Sequence, residues 1–160
     1  MYECPAQPWG GYRAQPMYLS PAQPTSTYGY NGYYLSPAKT PGWNAQIGHQ
    51  GWKRIDSIDR ASDVFVFADT MLEGDPVRNC ALLDPPELFA GGVWQANGSP
   101  TTSFRHAGTK GAGAANAVRA DGSAGTYGGR PEWLISPRAR IGSVGMKNDP
   151  HYVPDWKRWR

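Results

Sequence analysis

The sequence predicts a mainly antiparallel β-sheet domain with extensive Pro- and Gly-rich loops and little helix, and three observations carry that expectation. Gly (20) and Pro (15) are far more frequent in the 160 residues than the average of about 12% for the two together, and each breaks or weakens a helix interior. The longest uninterrupted apolar run, Val64-Phe65-Val66-Phe67-Ala68, is built of strand formers and is short enough for a buried strand. Asp121-Gly122 sits between two short runs that read as strands, Asn116–Ala120 and Ser123–Tyr127. Asp-Gly is a preferred two-residue type I′ hairpin loop.

The core is expected to be thin and aromatic. Leu, Ile, Val and Phe number only 23, whereas seven Trp and nine Tyr are present, and each large ring buries roughly 150–250 Å². A formal charge of +3 is too small for a disordered polyelectrolyte or a nucleic-acid-binding surface. The length fits one domain over 1–160. It divides into a Pro/Gln-rich coil (1–25), a β-rich core (26–129) and an irregular basic tail (130–160), which ends in Trp156-Lys157-Arg158-Trp159-Arg160 and reads as a solvated, partly frayed terminus.

Within the coil, Ala-Gln-Pro recurs at 6, 14 and 22, too few copies for a solenoid. Thr25–Leu35 is rich in strand formers, and an extended chain would put Tyr28, Tyr30 and Tyr34 on one face. Lys53–Ile58 reads as a weaker strand. Val64–Asp69 is apolar on both faces, which places it centrally in its sheet. Residues 70–102 form an excursion with few strand signals. Its Pro85–Ala90 segment is the one short helical candidate, with Asp84 as N-cap and Gly91-Gly92 as its stop.

Chemistry is sparse. There is no Gly-x-Ser-x-Gly, no His-Glu-x-x-His and no complete phosphate loop in the chain; Gly111-Ala-Gly113 lacks the third glycine of a dinucleotide fingerprint. No catalytic site and no organic cofactor is expected. Asp69, His106 and Asp121 could converge as an oxygen-rich site for a divalent cation such as calcium. Otherwise His106 and Asp121 satisfy loop and turn backbone around the hairpin. Cys4 and Cys80 could form a disulfide or remain two unrelated thiols. No segment approaches the roughly 20 apolar residues that span a bilayer, and Met1–Pro5 lacks the basic and apolar regions of a signal peptide.

Several pieces in shared order resemble the C-terminal domain of bacterial prepilin-type proteins named for an H-X9-DG motif, relatives of the type II secretion major pseudopilin. They are Cys4-Pro5, Thr27-Tyr28-Gly29-Tyr30-Asn31, Val64–Thr70 ending Phe-Ala-Asp-Thr, Arg105-His106 followed by Ala115–Gly122, and Ile141–Trp156. His106 and Asp121 are separated by fourteen residues rather than nine, the surplus fitting Thr109–Gly113, and Ser123 stands where the family usually carries His.

The resemblance implies an α+β pilin-like fold, of which this chain supplies the β part. It also implies a non-enzymatic structural role in a type II secretion or pilus-like assembly, with other pilin-like subunits or secretion proteins as partners and an extracytoplasmic location. Such proteins begin with a leader and a long apolar helix that packs their sheet, so that helix, and through it any membrane contact, is expected from an upstream frame. Without it, one face of the Val64–Asp69 sheet would be left open, the other being covered by loops and by Trp43, Trp52, Trp94 and Trp133. The alternative is a secreted, aromatic-faced carbohydrate- or protein-binding module.

Overall fold

A computed structural model describes residues 26–36, 53–75, 77–107 and 112–159. The coil expected over 1–25, Cys4, Trp43, Trp52 and the Thr109–Gly111 part of the insertion lie outside the described residues. The described fold is mainly antiparallel β with little helix.

The principal sheet has four antiparallel strands in the order β1-β2-β6-β7: β1 (Tyr28–Tyr30), β2 (Phe65–Asp69), β6 (Ala114–Arg119) and β7 (Ala124–Gly128). The apolar run is central, as its composition predicts: β2 pairs with β1 on one side and β6 on the other. Alternation sorts the side chains. Ala68 opposes Ala117, and Ala115 opposes Tyr127; all three alanines are buried. Their small side chains leave room on that face for the rings of Phe65, Phe104 and Tyr152, which belong with them to one core. On the other face Tyr30 opposes Phe67, Phe67 opposes Val118, and Val118 opposes Ala124.

Between β2 and β6 the chain adds β3 (Glu87–Ala90), β4 (Val93–Ala96) and β5 (Thr102–Ser103). The helix expected over Pro85–Ala90 is instead the strand β3, paired along its length with β4. Gly91 and Gly92 have φ of 60° and 83°, the two positive values that a type I′ loop requires. The glycines close a hairpin rather than stop a helix, and the prolines lie before β3, where no ladder N–H is needed.

The β6–β7 hairpin forms, but with a three-residue loop. The Arg119 N–H donates to the Ser123 carbonyl (2.8 Å) and the Gly122 N–H to the Arg119 carbonyl (3.0 Å), and in the loop Gly122 alone has positive φ, 85°. This is a type I turn followed by a glycine bulge, so Asp121 needs no left-handed conformation.

Two expected strands are corrected. The strand over Thr25–Leu35 covers only Tyr28–Tyr30, because Asn31-Gly32 turns the chain into one helical turn, α1 (Gly32–Leu35). Asn31 caps it, its Oδ1 accepting from the Tyr34 N–H at 3.2 Å; Tyr34 therefore leaves the tyrosine face and is buried. In place of a strand at Lys53–Ile58 there is a 3-10 turn, Ile55–Ser57. Ile55 is 75% exposed, and without apolar burial or a partner strand an extended backbone there would gain nothing.

The C-terminal segment is packed rather than frayed. β8 (Leu134–Ser136) and β9 (Ile141–Gly142) form a three-stranded sheet with β5, in the order β5-β9-β8. Tyr152, Val153 and Trp159 are buried in the core. His151 stacks on Phe65 (centroids 4.4 Å apart, 3° between planes), and Trp159 stacks on Tyr33 (5.7 Å, 10°). Burial of those rings holds the basic end against the domain, leaving Lys157 and Arg158 exposed. No helix among the described residues is long and apolar enough to cross a membrane.

Candidate functional site

Two constellations are built where β1, β2 and β6 meet. The first is polar and buried. Asp69, at the end of β2, is fully buried, and a carboxylate without water must be compensated by donors and cations. Its Oδ2 accepts the Asn116 N–H of β6 at 2.7 Å and lies 2.9 Å from His106 Nε2. Arg105 Nε stands 3.6 Å from Oδ1, beyond hydrogen-bond range, so that contact is Coulombic. Arg105 Nη2 in turn donates to the carbonyls of Thr27 (3.0 Å) and Thr70 (2.5 Å).

The structure thus brings two of the three expected cation ligands together, Asp69 and His106, and not the third. Asp121 is exposed in the β6–β7 turn, where it accepts from the Ser123 hydroxyl (2.5 Å) and the Ser123 N–H (2.9 Å). Those two bonds, the hydroxyl first, hold its carboxyl below the usual carboxylate range. Asp121 is engaged by its own turn. Among the described residues no cluster of three or more His, Cys, Asp or Glu side chains is placed to hold a metal ion.

The partners of Asp69 and Arg105 say what the polar group does. Besides the His106 ring, they are backbone groups at Thr27, Thr70 and Asn116, flanking β1, following β2 and inside β6. A carboxylate–guanidinium pair tying the ends of three strands together is a structural lock. Arg105 was legible only as a motif residue; its pairing with Asp69, thirty-six positions away in sequence, leaves no local signal.

Cys80 lies half-buried, its Sγ donating to the Leu82 carbonyl at 3.2 Å. Burial pushes its pKa up to about 11, which suppresses the thiolate and with it the reactivity of a nucleophile. Cys4, its expected disulfide partner, lies outside the described residues.

The second constellation is the open face of the sheet. Tyr30, Phe67 and Val118 form one cross-strand row over three neighbouring strands. Phe67 is 44% and Val118 40% exposed. The Tyr30 and Phe67 rings meet at 5.4 Å, and Tyr28 lies one position along on the same side, 38% exposed. Asn116 and Thr126, paired across β6 and β7, give this face a polar margin, joined by a 2.7 Å hydrogen bond between their side chains. The tyrosines were readable in the sequence; Phe67 and Val118 enter the row only through the strand register.

Comparison with known proteins finds no matching family model, no matching curated protein and no matching solved structure.

Proposed function

We propose that this chain is a non-enzymatic structural subunit of the prepilin or pseudopilin kind. In this reading it is the sheet domain of a type II secretion or pilus-like assembly outside the cytoplasm, held to other pilin-like subunits through an apolar helix seated on the open face. The observation that carries the reading is the apolar row in which exposed Phe67 and Val118 continue half-buried Tyr30. Full burial of an exposed apolar side chain is worth roughly 1.5–3 kcal/mol, and covering the 44% of Phe67 and 40% of Val118 that remain exposed recovers somewhat less than half of that for each. Four strands spaced about 4.8 Å apart make a surface roughly 15 Å wide, which matches one helix of about 10–12 Å diameter. The polar lock at the end of β2 ties β1, β2 and β6 together beside this row.

The test is immunogold electron microscopy of the native cells with an antibody to the domain, together with fractionation of sheared surface filaments. Label on filaments, and co-fractionation with a pilin-like subunit, supports the reading. A chain found only in the cytoplasmic fraction overturns it. The presence of Tyr28, Tyr30 and Phe67 on one surface favours a second reading, a secreted module that binds carbohydrate or protein through this aromatic face. That reading predicts the chain free in the medium, with no filament association.

A further inference from the structure

A separate cleft of about 580 Å³ is lined by Glu87, Trp94, Lys147, Asp149 and Trp156, within the range of roughly 300–1,000 Å³ typical of ligand sites. It is built on β3, β4 and the C-terminal segment, none of which belongs to the four-stranded sheet. Two half-buried indoles and three charged side chains are an unusual lining, and their arrangement is constrained. Trp94 Nε1 donates to the Trp156 carbonyl at 3.0 Å. The Trp94 ring is wedged against Phe89 (5.3 Å) and Trp159 (5.3 Å). The Glu87 N–H donates to Asn148 Oδ1 at 3.2 Å, and Asn148 Nδ2 returns a bond to the Glu87 carbonyl at 3.0 Å. Walls held this way lose little freedom on binding.

The charges are balanced. Lys147 Nζ lies 2.6 Å from Glu87 Oε1, and Arg60 pairs with Asp149. Each carboxylate already has its cation, so the cleft offers no net charge to attract an ion. What remains is the surface of two indoles, that of Trp156 with the Lys157 ammonium 5.5 Å from its ring centroid, beside carboxylate lone pairs and ammonium protons. We propose that this cleft is a binding subsite for a neutral saccharide. A pyranose presents an apolar C–H face to an indole, and its hydroxyl rim both donates to carboxylates and accepts from an ammonium. A fully apolar ligand would cover these ion pairs without satisfying their remaining lone pairs and ammonium protons, and an ion would break one of the existing pairs.

The whole chain is titrated by isothermal calorimetry with neutral hexasaccharides (cellohexaose, maltohexaose, xylohexaose, mannohexaose), with hexagalacturonate as the anionic probe and chitosan hexamer as the cationic one. At least one neutral probe is expected to bind with a Kd of about 1 mM or tighter, and more tightly than either charged probe. Trp156→Ala is expected to weaken it by about tenfold or more, the equivalent of one lost ring contact, while Ile55→Ser, at an exposed side chain that lines no part of the cleft, leaves it unchanged. Because Trp156 also supports the fold, a second variant is read beside it. Lys147 is 75% exposed, so Lys147→Gln leaves the fold intact, unpairs Glu87 and is expected to shift preference toward the cationic probe. The proposal is overturned by no neutral probe binding up to about 10 mM, by a charged probe binding best to the unmodified chain, or by a preference that Lys147→Gln does not move.

Discussion

Phe67 and Val118 face each other across β2 and β6 at the centre of the four-stranded sheet, and both are open to water. Replacing them together (Phe67→Ser, Val118→Thr) removes the exposed centre of the apolar row along with the ring contact between Phe67 and Tyr30. The expected result is a clear fall in hydrophobic-dye fluorescence and in self-association by sedimentation velocity, with a stability loss of about 1–2 kcal/mol from the lost ring contact and strand propensity. Unchanged dye binding would mean that this row is not the sticky surface of the chain.

Asp69 is the opposite case. Asp69→Ala strips the partner from a buried guanidinium and leaves the Asn116 N–H without an acceptor. Breaking a buried pair in this way costs roughly 3–5 kcal/mol, a large share of a total of about 5–15 kcal/mol. Urea denaturation should show the midpoint falling accordingly, and Asp69→Asn, which keeps an acceptor for Asn116, should lose less. Equal stability of all three proteins would refute the lock.

Two glycines separate strain from collision. A Cβ on Gly122 would meet nothing within 4 Å, so Gly122→Ala costs only the positive φ of 85°, about 1–2 kcal/mol. A Cβ on Gly142 would lie 2.0 Å from the Trp133 carbonyl oxygen and 2.9 Å from Leu134 Cα. Both are backbone atoms and cannot swing away, so Gly142→Ala must part β9 from β8. Thermal melts should rank Gly142→Ala clearly below Gly122→Ala.

Alkaline pH probes the buried hydroxyl at the centre of the core. Tyr152 Oη accepts the Val144 N–H (2.8 Å) and shares a hydrogen bond with Thr102 Oγ1 (2.8 Å). Burial pushes its pKa up from 10.0 to about 12. The raised value means that the folded state holds this proton while the unfolded chain releases it. Tyr152 therefore contributes stability that is intact below pH 10 and is lost as pH rises from 10 toward 12. Tyr152→Phe should cost about 1–3 kcal/mol at neutral pH, because the Val144 N–H loses its partner, and should make the alkaline decline shallower. Tyr33 and Tyr34, whose values burial also raises, keep some of that decline in place.

What the sequence shows plainly is what local patterning determines. The Val64–Ala68 run is apolar enough to demand a central strand, and Asp121-Gly122 is turn chemistry strong enough to demand a hairpin. Pro85–Ala90 misleads because Asp, Pro and Glu are good helix starters, while its partner strand β4 lies just beyond Gly91-Gly92. The glycine doublet is itself a hairpin signal, and tertiary pairing decides between the two meanings. Tyr34 misleads because a buried Asn31 converts an extended tyrosine run into a helical turn. The candidate site is legible only in part: Asp69 and His106 meet, but the register that aligns Tyr30, Phe67 and Val118 is a long-range property.

Asn31 Nδ2 donates to the carbonyls of Phe65 and Tyr152, both at 3.0 Å, across sequence separations of 34 and 121 residues. Beside it the Phe65 N–H reaches the His151 carbonyl at 2.8 Å. The start of β2, beyond the end of β1, is therefore completed by backbone that a ribosome delivers long after residue 31 has emerged. Contacts of such long range slow folding, because loop closure must precede the reward. Until the C-terminal segment arrives the Phe65 N–H lacks its native acceptor and the core around Phe65 lacks Tyr152 and Val153.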